Sequence, residues 1–258
     1  MPAKNRRPVS IFFLFILLVL TTGPTQFAGA QTSRTDDYPY LYRVTTLRAE
    51  PGKLPELIDF LTAQRKTAHS GEPASERVAH APIIMRHSQG DQWDLLLMFP
   101  MDSYQSYYGA GPDAGVAQFQ ARLDSLSAFR EDLFAYGPPP AAVLGAYTDN
   151  NFFHIEMFMA LAGRKGDLIE ERKMENAYLE STGQRTNLIW VGDVGSNVDV
   201  FTIGFYPSIV EFAAPSGVSD ADANEAAIAA GFEARSTIGF YLRELISAHH
   251  DTLAIKVE

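Results

Sequence analysis

The chain has no cysteine, so disulfides, thiolate nucleophiles and cysteine-held metals are excluded and its stability must come from an ordinary apolar core. The HExxH, GxxxxGKS/T and GxSxG patterns are also missing, which removes zincin, P-loop and nucleophile-elbow chemistry. Gly109-Ala110-Gly111 follows a helix-like segment and leads into Pro112-Asp113; it reads as a loop and not as a phosphate cradle between strand and helix. Positive charge is scarce: 21 Lys+Arg stand against 31 Asp+Glu. Nucleic acid and anionic membrane are therefore poor partners, because their phosphates select a basic footprint.

Long apolar runs are nearly absent too. The one present, Ile11 to Leu20, is about half the roughly 20 residues that a spanning helix needs. It is preceded by Lys4, Arg6 and Arg7 and followed by Ala28-Gly29-Ala30, the three-part layout of a secretory signal. Residues 1–30 are thus expected to be a signal peptide cleaved near Ala30, placing the mature chain in the periplasm or outside the cell, with no membrane insertion afterwards. The mature chain would carry 18 basic against 31 acidic residues and be long enough for a sizeable core.

What remains is a repeat of order. The first unit, 31–140, reads as a strand from Leu41 to Leu47, a break at Glu50-Pro51-Gly52, and an amphipathic helix with Leu54, Leu57, Ile58 and Leu61 on one face. A hairpin follows from Ile83 to Arg86 and Trp93 to Phe99, ended by Pro100. A helix over Val116 to Phe129 and a short strand at Leu133 to Tyr136 complete it. Gly137-Pro138-Pro139-Pro140 reads as a stiff linker. The second unit, 141–258, repeats the order with a strand at Phe152 to Leu161, a helix at Asp167 to Glu180, a hairpin from Leu188 to Val191 and Val198 to Tyr206, a long helix from Asp222 to Ser247 and a strand at Leu253 to Val257. Gly52 is matched with Gly166, Asp94 with Asp199 and Pro100 with Pro207.

Each unit is β-α-β-β-α-β, a ferredoxin-like sheet with helices on one face, and two such units can bury their bare faces against each other. The expected fold is α+β: tandem ferredoxin-like units pairing their sheets into one intrachain α/β barrel. In this element order, over residues 38–258, the chain resembles the dimeric α/β-barrel superfamily in its fused form, which includes antibiotic-biosynthesis monooxygenases, NIPSNAP-type proteins and chlorite-dismutase-like haem proteins. The resemblance implies the fold; function must be read from a site. Because the duplication supplies the pairing, the fold requires no further oligomer.

The polar residues that stand out are in the second unit. Alternation along the strand puts His154 and Glu156 on one sheet face, with Asp199 expected to approach from the neighbouring strand. An imidazole beside carboxylates can act as a general base or supply part of a metal site, and it can equally be a charge pair within the seam. On the following helix Glu171, Glu175 and Tyr178 share a face. Turned inward, that face would give an acid and a phenol to a pocket; turned outward, it would be solvated. The candidate catalytic residues are therefore His154, Glu156, Asp199 and Tyr178.

Phe153, Phe158, Trp190, Phe201, Phe205 and Tyr241 are the expected aromatic lining for a small apolar or aromatic ligand. His249-His250-Asp251 is placed at a helix end, where histidines meet the helix dipole. The sequence names no cofactor. The resemblance to the monooxygenases implies that none is needed, whereas resemblance to the haem proteins implies a histidine facing a porphyrin, with His154 or His250 as candidates. Two functions remain: an exported small-molecule-binding protein or enzyme of cofactor-free oxygenase or haem/metal type, and a non-catalytic exported scaffold or assembly module.

Overall fold

The computed structural model describes residues 36–68, 83–89, 92–109 and 114–258. The expected signal peptide at 1–30, His69, His80 and the loop residues Ala110 to Asp113 lie outside the described residues. The first unit supplies β1 (Tyr40–Ala49), α1 (Leu54–Ala68), β2 (Ile83–Gln89), β3 (Leu95–Met101), α2 (Tyr104–Gly109), α3 (Ala114–Leu126) and β4 (Ser127–Gly137). After α4 (Pro140–Asp149) come β5 (Phe152–Ala160), α5 (Lys165–Ser181), β6 (Asn187–Val194), β7 (Val200–Tyr206), α6 (Ile209–Phe212) and α7 (Asp220–Ala229). A 3₁₀ turn (Arg235–Thr237), α8 (Ile238–Arg243) and β8 (Ile246–Lys256) end the chain.

Both halves have the ferredoxin-like strand order, β4-β1-β3-β2 and β8-β5-β7-β6, and every pairing is antiparallel. Two seams, β2 with β8 and β4 with β6, join them into a closed eight-stranded barrel. Closure leaves no edge strand unpaired. It also satisfies the apolar inner faces: Tyr42 and Val44 of β1, Leu96 and Met98 of β3, Phe153, Ile155 and Met157 of β5, and Phe201, Ile203 and Phe205 of β7 form one core drawn from both units. Trp190 stacks on Phe201 at 5.0 Å and meets the edge of Tyr42 at 6.0 Å. Gly137, at the β4–β6 seam, must be glycine, since a Cβ there would fall 2.1 Å from the Trp190 ring.

The outer faces carry separate clusters. Leu57 and Leu61, two of the four residues on the apolar stripe of α1, pack with Leu123 and Leu126 of α3 on Leu47, Leu95 and Leu97. In the second unit Leu168 of α5 packs with Phe158, Val200 and Ile246.

Five local expectations are corrected. The Pro138-Pro139-Pro140 segment is not only a linker: Pro140 opens α4, a position where the missing N–H is harmless. α4 plugs the barrel, with Tyr147 stacked on Phe153 and its hydroxyl donating to the carbonyls of Ile84 at 2.7 Å and Val257 at 3.1 Å. The helix expected to reach Phe129 stops at Leu126, and β4 starts at Ser127 because Phe129 to Asp132 pair with β1. The long helix over Asp222 to Ser247 is broken at Gly231, whose φ of +106° is left-handed, so His249-His250-Asp251 lies in β8 and not at a helix end. Pro100 lies inside β3 opposite Tyr42, at a point where the described pairing is with β1 alone.

Fifth, Gly52 corresponds to Gly163 and not to Gly166. Both turn with φ of +78° before their helices, while Gly166 lies within α5. The hydrogen bonds agree. Asp94 accepts from the Ala49 N–H at 2.8 Å and Asp199 from the Ala160 N–H at 2.9 Å, while their own N–H groups donate to Leu47 and Phe158. This register sets His154 against Arg43 and Glu156 against Thr45, whereas the Gly52–Gly166 match sets them against Tyr40 and Tyr42.

Candidate functional site

Because Phe153, Ile155 and Met157 fill the barrel, alternation turns His154, Glu156 and Phe158 outward toward α5. On β7, Thr202 lies opposite Glu156 and Gly204 opposite His154; on β8, Asp251 lies opposite Glu156 and His249 opposite Phe158. α5 covers these strands with Leu168, Glu171, Arg172 and Glu175, the i, i+3, i+4, i+7 face that is normally apolar. Here three of the four are charged, and two of these are fully buried: the side chains of Glu171 and Arg172 are 0% and 1% exposed.

Burial of that kind requires pairing. Arg172 provides it with a two-pronged contact, Nε and Nη2 each donating to Glu171 at 2.6 Å, while Nη1 donates to Glu175 at 2.8 Å and stands 3.7 Å from Glu156. Its guanidinium lies 4.7 Å over the Phe158 ring. One guanidinium therefore faces Glu171, Glu175 and Glu156, and Asp251 adds a fourth carboxylate at the edge. His154 Nε2 is 3.8 Å from Asp251, His249 stacks on Phe158 and donates to Asp251 at 3.0 Å, and Thr202 donates to Glu156 at 3.1 Å.

Burial, and after it the surplus of acid, perturbs the titration of the group. Burial pushes Glu175 up to about 7, opposed by Arg172 and reinforced by Glu156 and Glu171. Burial also raises Glu156, again against the pull of Arg172, and lowers His154, whose imidazole Asp251 and Glu175 favour in the charged form. Arg172 is pulled down by burial and raised further by its carboxylates, so it stays charged. Beside the acids stands an aromatic wall. Phe212 of α6 contacts His154 at 5.2 Å, Tyr206 at 5.2 Å and Phe152 at 5.6 Å. Gly204 makes room for it, since a Cβ there would lie 2.8 Å from the Tyr206 ring. Burial raises the Tyr206 phenol, and Glu156 adds to this.

Of the residues expected from sequence, the structure brings together His154 and Glu156. Asp199 is elsewhere: it caps the end of β5 through the Ala160 N–H and lies 4.0 Å from Lys165. Tyr178 is also elsewhere: a turn beyond Glu175 along α5, it interacts with Arg235. Arg172 and Tyr206 were not anticipated. A helix whose sheet-facing stripe reads Leu-Glu-Arg-Glu was the available signal for the first; for Tyr206 no local pattern distinguishes a site phenol from a strand end. Phe153, Trp190, Phe201 and Phe205 fill the barrel and do not line the site, while Phe158 and Tyr241 belong to the cluster under the helices.

A porphyrin does not fit here. The layer between α5 and the sheet is occupied by Phe158, Leu168, Glu171 and Arg172, all fully buried, and haem could enter only by displacing the Arg172–Glu171 pair. His250 is opposite Met157 on the other face of the sheet. A concavity of 610 Å³ opens away from this site, between α1 and α3 around Phe60 and Phe119, but its one charged side chain, Arg122, is already bound to Glu56. No helix among the described residues is long and apolar enough to cross a membrane.

No family model matches the sequence, and no curated protein matches it. Solved structures do. An anthrone oxidase-like protein superposes with a TM-score of 0.57 at 9% identity, over 88% of this chain and 94% of its own. A candidate monooxygenase from Lactobacillus acidophilus reaches 0.49 at 8% identity, over 85% and 94%, and a candidate chlorite dismutase 0.48 at 13%, over 85% and 95%. At such identities the likeness is one of fold: the chain is a tandem ferredoxin-like protein closed into a single α/β barrel, and the anthrone oxidase-like protein shares that fold.

Proposed function

We propose that this is an exported protein that binds a small aromatic molecule at the edge of the α5 layer in the second unit and moves a proton to or from it. The observation that carries the reading is the surplus of carboxylates around Arg172. A structural ion pair would need Glu171 alone, whose two oxygens already take two donors. Glu175 and Glu156 are additional, half-buried and next to His154. A carboxyl poised near neutrality can donate or accept a proton at physiological pH, which is the property that general acid–base catalysis uses. Glu175 is the group suited to exchange the proton. Phe212 and Tyr206 offer ring faces to an aromatic ligand, and Arg172 keeps Glu175 from leaving the layer. Apolar walls with a few convergent polar groups are the usual make-up of a ligand site. The proton exchange is carried by the chain's own carboxyl and calls on no haem.

The test is a panel of small aromatic phenols, acids and amines, titrated calorimetrically into the mature chain. At least one should saturate a single site and bind at least about tenfold more weakly to Phe212→Ala, the loss of one ring contact. Absence of saturable binding across the panel, or binding indifferent to both Phe212→Ala and His154→Ala, would refute the assignment and favour a scaffold.

A further inference from the structure

We propose that His154, Glu156 and Asp251 form a binding site for one divalent first-row metal ion, Zn²⁺ or Mn²⁺. The three residues sit on adjacent strands in fixed register: Glu156 and Asp251 are direct partners on β5 and β8, and His154 is two residues along on the same face. One ligating atom from each lies within 4.8 Å of the others. With metal–ligand bonds of about 2.1 Å, ligand atoms around a common ion stand roughly 3 to 4 Å apart. Small side-chain rotations close that difference, and Asp251, 53% exposed, is free to make them.

Two further features favour an ion. Carboxylates placed directly opposite each other on neighbouring strands repel, an arrangement that sheets ordinarily avoid and a shared cation reverses. Arg172 offsets only part of this charge: its hydrogen bonds go to Glu171 and Glu175, and it stands 3.7 Å from Glu156. The ligands are also oriented from behind as metal ligands commonly are. His249 holds one oxygen of Asp251, and Thr202 holds one oxygen of Glu156, which leaves the second oxygen of each for the ion. His154, 23% exposed beside Phe212, and Asp251, 53% exposed, leave the site reachable from solvent. One imidazole with two carboxylates suits Zn²⁺ or Mn²⁺ better than Ca²⁺ or Mg²⁺, which take all-oxygen sets.

The ion site stands on these residues alone; only a role in holding an oxygen atom of the aromatic ligand rests on the proposed function. The experiment uses the mature chain stripped with EDTA and titrated with Zn²⁺ and Mn²⁺. One ion should bind per chain, and Asp251→Asn and His154→Gln should each weaken it by at least about tenfold, with Thr202→Val, which loosens Glu156, also weakening it by roughly tenfold. The stripped Asp251→Asn chain should melt no lower than the stripped parent, since it loses the repulsion with Glu156, which separates ligation from folding. Bound Mn²⁺ should show nitrogen coupling in its electron-spin-echo spectrum, absent in His154→Gln. Failure of the parent to bind either ion at millimolar concentration, or stoichiometric binding that survives both ligand substitutions, overturns the proposal. Running the aromatic panel on the stripped chain keeps the two ideas apart: ligand binding without any ion site would overturn this inference and leave the proposed function standing.

Discussion

Replacing Glu175 by glutamine keeps its shape and its hydrogen bond from Arg172 but removes the group that burial holds protonated. The carboxyl is pushed from its ordinary 4.5 up to about 7. A carboxyl with a folded-state pKa above its unfolded one binds its proton more tightly in the folded chain. Its contribution is then fully present below the unfolded value and lost as pH rises through the folded value. The window is therefore from 4.5 to about 7, the two values between which only the unfolded chain ionises. At about 1.4 kcal/mol per unit the full shift corresponds to roughly 3 kcal/mol. The side chain is 24% exposed, so water screens part of this, and on the order of 1 to 3 kcal/mol is expected. Urea unfolding of parent and Glu175→Gln at pH 4 and pH 8 measures it. The variant should gain that amount over the parent at pH 8 and little at pH 4. A stability difference independent of pH would show that Glu175 is an ordinary ionised partner of Arg172 and would refute the poised acid.

Three other outcomes follow from the same structure. Arg172→Met should destabilise the chain by about 3 to 5 kcal/mol at pH 7, because it leaves Glu171 buried without a partner; for a chain of this size that is roughly 6 to 20 °C in Tm, read by calorimetry. Asp94→Ala and Asp199→Ala should each cost about 1 to 3 kcal/mol in denaturant unfolding, because each frees a strand-end N–H from its carboxylate, and markedly unequal losses would speak against their equivalence. N-terminal sequencing of the exported protein should begin at or near Gln31, and a retained Met1 on membrane-bound protein would contradict the signal reading.

The repeat was legible because turn and strand signals recur in order, and the Asp94–Asp199 match was correct because both residues do the same capping work. The strand match failed by three residues because two glycines, Gly163 and Gly166, compete in one turn, and only φ tells which of them bends the chain. Where strands begin was obscured by composition. Ser127 to Arg130 and Ile246 to Asp251 follow helices without a glycine or proline, and pairing with β1 and β5 overrides local propensity. His154 and Glu156 could be placed side by side since alternation is local. Asp199 could not be excluded, because its distance from them depends on hairpin length, nor Arg172 found, because its burial depends on which face of α5 meets the sheet. Tyr178 was assigned to that face by spacing, and its partner Arg235 comes from a segment that only the broken helix brings near.

The central claim is that ligand chemistry resides in the α5 layer of the second unit, and a chemical-shift map of the mature chain with a bound aromatic ligand tests it most directly. The predicted shifts fall on His154, Glu175, Tyr206, Phe212 and Asp251, with α1 and α3 silent. Shifts confined to the concavity around Phe60 and Phe119, with His154 and Phe212 unmoved, would contradict the account.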